Sequence, residues 1–195
     1  MCPIVRDAAP SFPRRVIRPV IRQLSLLAAI ASLLVAPARA VGQFDDQQVK
    51  AAFVLNFLKF VTWPPALPAA DGPIDVVVLG ADDLAQAIEQ ASAGQQIAGR
   101  PIKVRAIRRA ADIGPAPQLL FIAGSERDRL PVLLRALEGR PVLTVGDGSG
   151  FGAAGVVLNF YTSDTRIRFE ANTTAAARAR LQISSHLLRL ARIVG

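Results

Sequence analysis

A chain of 195 residues that is 51% hydrophobic is long and apolar enough for one well-packed domain, which excludes a disordered protein. Its formal charge of +8 suggests a nucleic-acid partner only until it is apportioned: residues 1–40 carry six arginines and a single acid, Asp7, while from Val41 onward 17 Lys and Arg face 14 Asp and Glu, a net of +3. The one cysteine, Cys2, lies in the leader, so the remainder has neither a disulfide nor a thiol to work with.

The first 40 residues read as a secretory signal. Arg14, Arg15, Arg18 and Arg22 form a positive segment, Leu24 to Val35 an apolar one of 12 residues, and Ala38-Arg39-Ala40 a small-x-small cleavage pattern. The apolar run is too short for a mature membrane span. These features predict a mature domain over residues 41–195, exported to the bacterial periplasm. Export also removes nucleic acid as a partner, although the terminal arginines and LQISSHLLRLAR have a helix-turn-helix flavour.

Phe44 to Trp63 is predicted to be a helix. Asp45 or Asp46 suits its start, and Val49, Ala52, Phe53, Phe57, Phe60 and Val61 recur at helical spacing. Leu55 and Leu58 widen the apolar stripe nearly all round, which is the pattern of a core helix or of one buried against a partner. Trp63-Pro64-Pro65 stops it, and Ala66 to Pro73 reads as a linker. Ile74 to Gly80 is a β-branched run, as in a central strand. A short helix follows through Ser92 with Asp82 or Asp83 as its cap. Arg100 to Ile107 alternates as a strand, Gln118 to Ala123 is a buried strand, and Ser125 or Asp128 is placed to cap a helix ending near Glu138. Pro131 fits the first turn of that helix if it begins at Asp128.

From Gly139 to Asn172 the pattern becomes strand, glycine-rich loop, strand, tight turn, strand. Pro141 to Val145 is the first strand, and Gly146, Gly148, Gly150, Gly152 and Gly155 crowd the loop around a lone aromatic, Phe151, which reads as exposed. Val156, Leu158 and Phe160 then alternate with Val157, Asn159 and Tyr161. After Ser163-Asp164-Thr165, the residues Ile167, Phe169 and Ala171 alternate with Arg166, Arg168 and Glu170, a hairpin with one apolar and one charged face. Thr173 to Val194 is predicted as one amphipathic helix, its polar stripe formed by Arg178, Gln182, Ser185, Arg189 and Arg192. The whole implies an α/β fold: a single domain with a mixed β-sheet, helices on both faces and a C-terminal amphipathic helix.

Sites of chemistry are scarce. Gly148 to Ala153 formally matches G-x-G-x-x-A, but a dinucleotide site needs a helix next, and here Gly155 leads into a strand. Ser125, Asp147 and His186 supply the residue types of a triad, but Ala123-Gly124-Ser125-Glu126-Arg127 lacks the second glycine of a nucleophile elbow. A single histidine and no mature cysteine also exclude the usual zinc sites. The sequence therefore predicts no enzyme, no cofactor and no metal.

Six stretches, KAAFVLNFLKFVTWP (50–64), GRPIKVRAI (99–107), LLFIAGSE (119–126), GRPVLTVGDGSGF (139–151), VLNFYTSDTRIRFEAN (157–172) and ARLQISSHLLRLAR (179–192), follow one another in an order and spacing that resembles the YfiR-like family of periplasmic proteins. The resemblance implies an α/β regulator without catalytic activity. In the best-known member, the periplasmic protein binds the periplasmic sensor domain of an inner-membrane diguanylate cyclase and holds it inactive. An outer-membrane lipoprotein sequesters the regulator, cyclic-di-GMP rises and biofilm forms; members also dimerise. This chain departs from that member in having no mature cysteine, so a disulfide-based redox switch is not available to it. Ala171-Asn172-Thr173-Thr174 also stands where the family prefers a more apolar pattern.

Three surfaces are candidates for the partner: the glycine loop with Phe151, the hairpin face with Arg166, Arg168 and Glu170, and the end of the first helix with Lys59 and Trp63. Aromatic anchors rimmed by arginine are what interface cores favour. The competing expectation is a periplasmic small-ligand-binding module feeding a membrane sensor kinase, which calls for a concave apolar pocket beside the glycine loop.

Overall fold

Residues 46–65, 72–115 and 117–195 are described by the structure, a computed structural model. The expected leader, its cleavage point after Ala40, Phe44, Asp45 and linker residues 66–71 lie outside the described residues. The elements in order are α1 (Asp46–Phe60), β1 (Val61–Thr62), β2 (Ile74–Leu79), α2 (Asp82–Ser92), β3 (Gln96–Ile97), β4 (Arg100–Ile107), β5 (Leu119–Ile122), α3 (Leu130–Ala136), β6 (Leu143–Gly146), α4 (Phe151–Ala154), β7 (Leu158–Ser163), β8 (Arg166–Ala171), α5 (Thr173–Arg178), β9 (Gln182–Ile183), α6 (Ser185–Leu188) and β10 (Arg192–Ile193).

β2 is the centre. Val76, Val77, Val78 and Leu79 are all fully buried, because both faces of the strand are covered. Val76 and Val78 join Leu119, Phe121, Leu143 and Val145 under α1 and α2. Val77 and Leu79 join Leu120, Ile122 and the α3 residues Leu130 and Leu133 on the other side. A one-residue slip would exchange the two sets, and burying each large aliphatic side chain stabilises by about 1.5–3 kcal/mol, so the register is tightly held. The charge in β2, Asp75, is matched in place: Arg105 Nε and Nη2 donate to its two carboxylate oxygens at 3.1 and 2.9 Å, and its backbone N–H donates to Gln118 Oε1 at 2.6 Å.

The main sheet has the order β10-β8-β7-β6-β5-β2-β4-β3. Strands β4, β2, β5, β6 and β7 are parallel, and the antiparallel pairs β7–β8 and β3–β4 lie toward the two edges. This is the expected mixed α/β sheet with helical segments on both faces, and its parallel part is doubly wound, β2 being flanked by β4 on one side and β5 on the other. The helix α1 crosses one face. It carries Asp46 in its first turn and Lys59 in its last, charges that suit the helix dipole. It ends before the expected Trp63, because β-branched Val61 and Thr62 precede Pro64 and Pro65 and turn extended, pairing with β9.

Several local expectations are corrected. Asp82 and Asp83 do not cap α2, whose N-cap is Ala81; Asp82 instead pairs with Arg108 at 2.6 Å. Neither Ser125 nor Asp128 caps a helix: residues Gly124–Arg129 form a 3-10 segment, and α3 follows with Pro131 in its first turn. The C-terminal amphipathic helix is not formed. Arg180 takes φ +56°, which ends α5. Residues 182–183 become β9, Ser184 accepts a hydrogen bond from the His186 N–H at 3.2 Å to open α6, and residues 192–193 become an edge strand. The break puts Leu181 and Leu187 into one core from two separate segments, a tertiary gain that outweighs local helical periodicity.

Candidate functional site

The glycine loop is not an exposed flexible feature. Phe151 is 1% exposed, packed into the core on the α3 side of the sheet. It opens α4, a single turn that the sequence pattern does not reveal. The glycines make room for its ring: a Cβ on Gly146 would come within 2.8 Å of Phe151 Cδ2, and one on Gly148 would run into the ring itself. Arg127 lies over the ring with its guanidinium carbon 5.5 Å from the centroid. The small residues that resemble a phosphate cradle therefore serve close packing.

A line of polar contacts runs from this loop to the hairpin. Lys50 Nζ donates to Asp147 Oδ2 at 2.7 Å, and the Gly124 N–H donates to Asp147 Oδ1 at 2.7 Å. Asp147 thus ties α1 to two of the loops at the C-terminal ends of the parallel strands. Next to it, Asn159 Nδ2 donates to the Gly148 carbonyl at 3.1 Å and to Glu170 Oε2 at 3.3 Å. Glu170 in turn accepts from Arg192, whose guanidinium carbon stands 4.1 Å from the Tyr161 ring centroid. The hydrogen bond to Glu170, and Tyr161 beside it, raise the Arg192 guanidinium above its already high ordinary pKa. Glu170 is 7% exposed, so it belongs to this internal line and not to a solvated charged face. Two neighbours distant in the chain, Asn159 and Arg192, account for its burial.

The other sequence-predicted residues divide between two ends of the molecule. Lys59 is exposed at the C-terminal end of α1, beside Phe60, which is 37% exposed and has its ring centroid 5.4 Å from that of His186. Trp63 is half-buried and donates from Nε1 to the Gln118 carbonyl at 3.2 Å, at the N-terminal end of β5. Arg166 and Arg168 are exposed on β8. Here β7 continues four residues past Asn159, the partner of the last β6 residue, Gly146. At roughly 3.3 Å per residue the hairpin overhangs the parallel strands by about 13 Å. The structure therefore brings Phe151 and Glu170 into one interior and leaves Trp63, with Lys59 near it in the chain, at the N-terminal end of the parallel strands, opposite to the end where the hairpin overhangs.

Between these ends, α1 keeps an uncovered stripe. Gln48, Val49, Ala52, Phe53 and Asn56 line a shallow groove, and Phe60 extends it one turn. Phe53 forms the floor, its ring 5.8 Å from Phe160 and 5.7 Å from Phe169. The sequence pattern showed an apolar helix all round; which apolar residues stay uncovered depends on the sheet beneath.

The triad residues are not assembled. Both Asp147 oxygens are engaged by Lys50 and Gly124, while His186 Nδ1 lies 3.3 Å from Arg189 Nη2 and its ring packs on Phe60. Lys50 and Phe60 are ten residues apart on α1, about 15 Å along its axis. A cleft of about 240 Å³ between α3 and α5, lined in part by Arg135, Arg140, Ala154 and Arg178, falls below the roughly 300–1,000 Å³ of small-molecule pockets.

The geometry defines a doubly wound α/β domain with a partly uncovered apolar helix and an overhanging basic hairpin. The chain belongs to the YfiR/HmsC-like family, whose profile matches residues 47–192. Its fold is also similar to the crystal structure of a conserved domain protein from Vibrio cholerae O1 biovar eltor, with a TM-score of 0.53 at 10% identity over 76% of this chain. The chain spans 60% of the length of that protein, and the likeness is one of fold.

Proposed function

We propose that this protein is a periplasmic regulator that binds the sensor domain of an inner-membrane diguanylate cyclase and represses it, lowering cyclic-di-GMP. The observation that carries this reading is family membership over nearly all the described residues. The surface chemistry agrees: the α1 stripe with Phe53 and Phe60, and the arginines of the hairpin, are of the kinds interfaces use, whereas His186 packs on Phe60, at the far end of α1 from the Lys50–Asp147 pair. Among the described residues no helix is long and apolar enough to cross a membrane. In this reading the membrane component of the system is the partner. A regulator shifts its receptor between states only by as much as its affinity for the two states differs, so the surface must meet a feature that only the inactive cyclase presents. An outer-membrane lipoprotein that competes for the same surface, and a homodimer that occludes it, would complete the circuit.

The test is a deletion strain with cyclic-di-GMP measured by mass spectrometry, alongside capture from detergent-solubilised membranes with the purified protein as bait. Capture of a diguanylate cyclase together with a rise in the nucleotide is the expected result. An unchanged nucleotide with no cyclase captured overturns the reading.

A further inference from the structure

The hairpin strand β8 is six residues long, but its outer neighbour β10 pairs only with Glu170 and Ala171. Among the described residues, 166–169 have β7 on one side and no strand on the other. In an antiparallel pair the backbone groups of alternate residues face alternate sides. The Val194 N–H donates to the Ala171 carbonyl at 3.0 Å, which marks Ala171 as facing outward. Counting by two places the N–H and C=O of Phe169 and Ile167 on the same outer side, and Ile167 lies beyond the reach of β10.

The side chains along this edge have a definite chemistry. Arg166 and Arg168 project from one face, exposed and without an ion pair among the described residues. Arg192 continues the row, since it sits beside Glu170 in the register. On the opposite face, Ile167 is half-buried and Ile193 is 51% exposed. A strand added here would meet cations on one face and apolar side chains on the other. A second copy of β8 is a poor occupant, because its own arginines would stand against these, and like charges across a ladder are repulsive.

We propose that residues 166–169 are a docking edge for an extended segment of the partner protein in which acidic and apolar residues alternate. The backbone supplies the pairing, and the arginines select the acidic face. This deepens the partner-binding reading above and rests on it for the identity of the partner.

The probe is a soluble octapeptide, Thr-Glu-Val-Glu-Val-Glu-Thr-Glu, with its lysine-for-glutamate counterpart and a backbone N-methylated version. Amide hydrogen exchange of the full chain is read residue by residue by NMR. The acidic peptide, at ten times its dissociation constant, is expected to slow exchange at Ile167 by about tenfold. The lysine and N-methylated peptides are expected to leave it unchanged, and the R166E/R168E variant to prefer the lysine peptide. No change at Ile167, an equal response to both peptides, or protection that rises with protein concentration without peptide overturns the proposal. In cells, R166E/R168E that still represses cyclic-di-GMP as the wild type does overturns the docking edge and leaves the regulator standing. Peptide protection with no nucleotide change on deletion overturns the regulator and leaves the edge.

Discussion

The parallel and antiparallel arms of the sheet are built to different rules. In β2, β5 and β6 both faces are apolar, and Val76, Val77, Leu119, Leu120 and Leu143 are all fully buried. In β7 and β8 one face is just as dry, with Phe160 and Phe169 under α1, but the other carries Asn159, Tyr161, Arg168 and Glu170. In these three inner strands every residue except Asp75 is buried. The antiparallel arm puts stability on one face and leaves polar groups and part of one edge for other uses. The division teaches where change is tolerated: a substitution on the α1 side of the hairpin, or at buried Asn159 and Glu170, should act on folding, and one at exposed Arg166 or Arg168 on the proposed binding.

The strongest way to break that division is to remove Phe57. It is fully buried, with its ring 5.6 Å from Phe160 and 5.0 Å from Phe169, so it clamps α1 onto the antiparallel arm. Phe57→Ala should cost about 3–5 kcal/mol, as large aromatic truncations in cores do, read as a lower urea midpoint. A loss below about 1 kcal/mol, the range of sites that are not packed, would mean that the hairpin face is not a true core.

A smaller effect is expected where the arms meet, at the glycine loop. Gly148→Ala would push a methyl group into the Phe151 ring and should cost about 1–3 kcal/mol by overpacking. The same substitution in a Phe151→Leu background should cost less, because the two residues share one space. Equal costs in both backgrounds would show that Gly148 is needed for its backbone and not for its size.

The parallel arm is legible in sequence because its signals are local. The continuous run Val76 to Leu79 and the alternation through Arg100–Ile107 give β2 and β4 near their observed bounds. The hairpin turn after Ser163 is equally plain, as are the exposed positions of Lys59, Arg166 and Arg168. What fails is what depends on distant neighbours. Arg178, Gln182, Ser185 and Arg189 keep helical spacing, yet Ile183 is taken by Val61, 122 positions away in the chain. Glu170 alternates with exposed arginines and looks solvated until Asn159 and Arg192 close on it. Phe151 among glycines resembles an exposed loop residue because sequence does not show that the glycines are hollowed out for its ring. The α1 stripe is hidden for the opposite reason: a helix apolar on all sides does not announce which side the sheet will cover.

The smallest effect sharpens the comparison from the hairpin tip. Asp164 and Thr165 take φ +50° and +61°, the left-handed pair of a two-residue hairpin turn, where Asn-Gly is the favoured sequence. For a β-branched residue this conformation is strained, and Thr165 Oγ1, donating to the Asp164 carbonyl at 2.6 Å, offsets only part of that. Thr165→Gly should therefore stabilise the protein by about 1 kcal/mol, the usual penalty of a non-glycine residue in that region. The gain is limited because glycine also frees the unfolded chain. Since the tip lies about 13 Å beyond the parallel strands, this substitution touches no core contact, and the proposed repression should be unchanged if the arginines of β8 alone carry recognition. A stabilised variant that no longer represses would instead place part of the binding surface in the strained turn itself, making Thr165 a contact residue retained at the expense of stability.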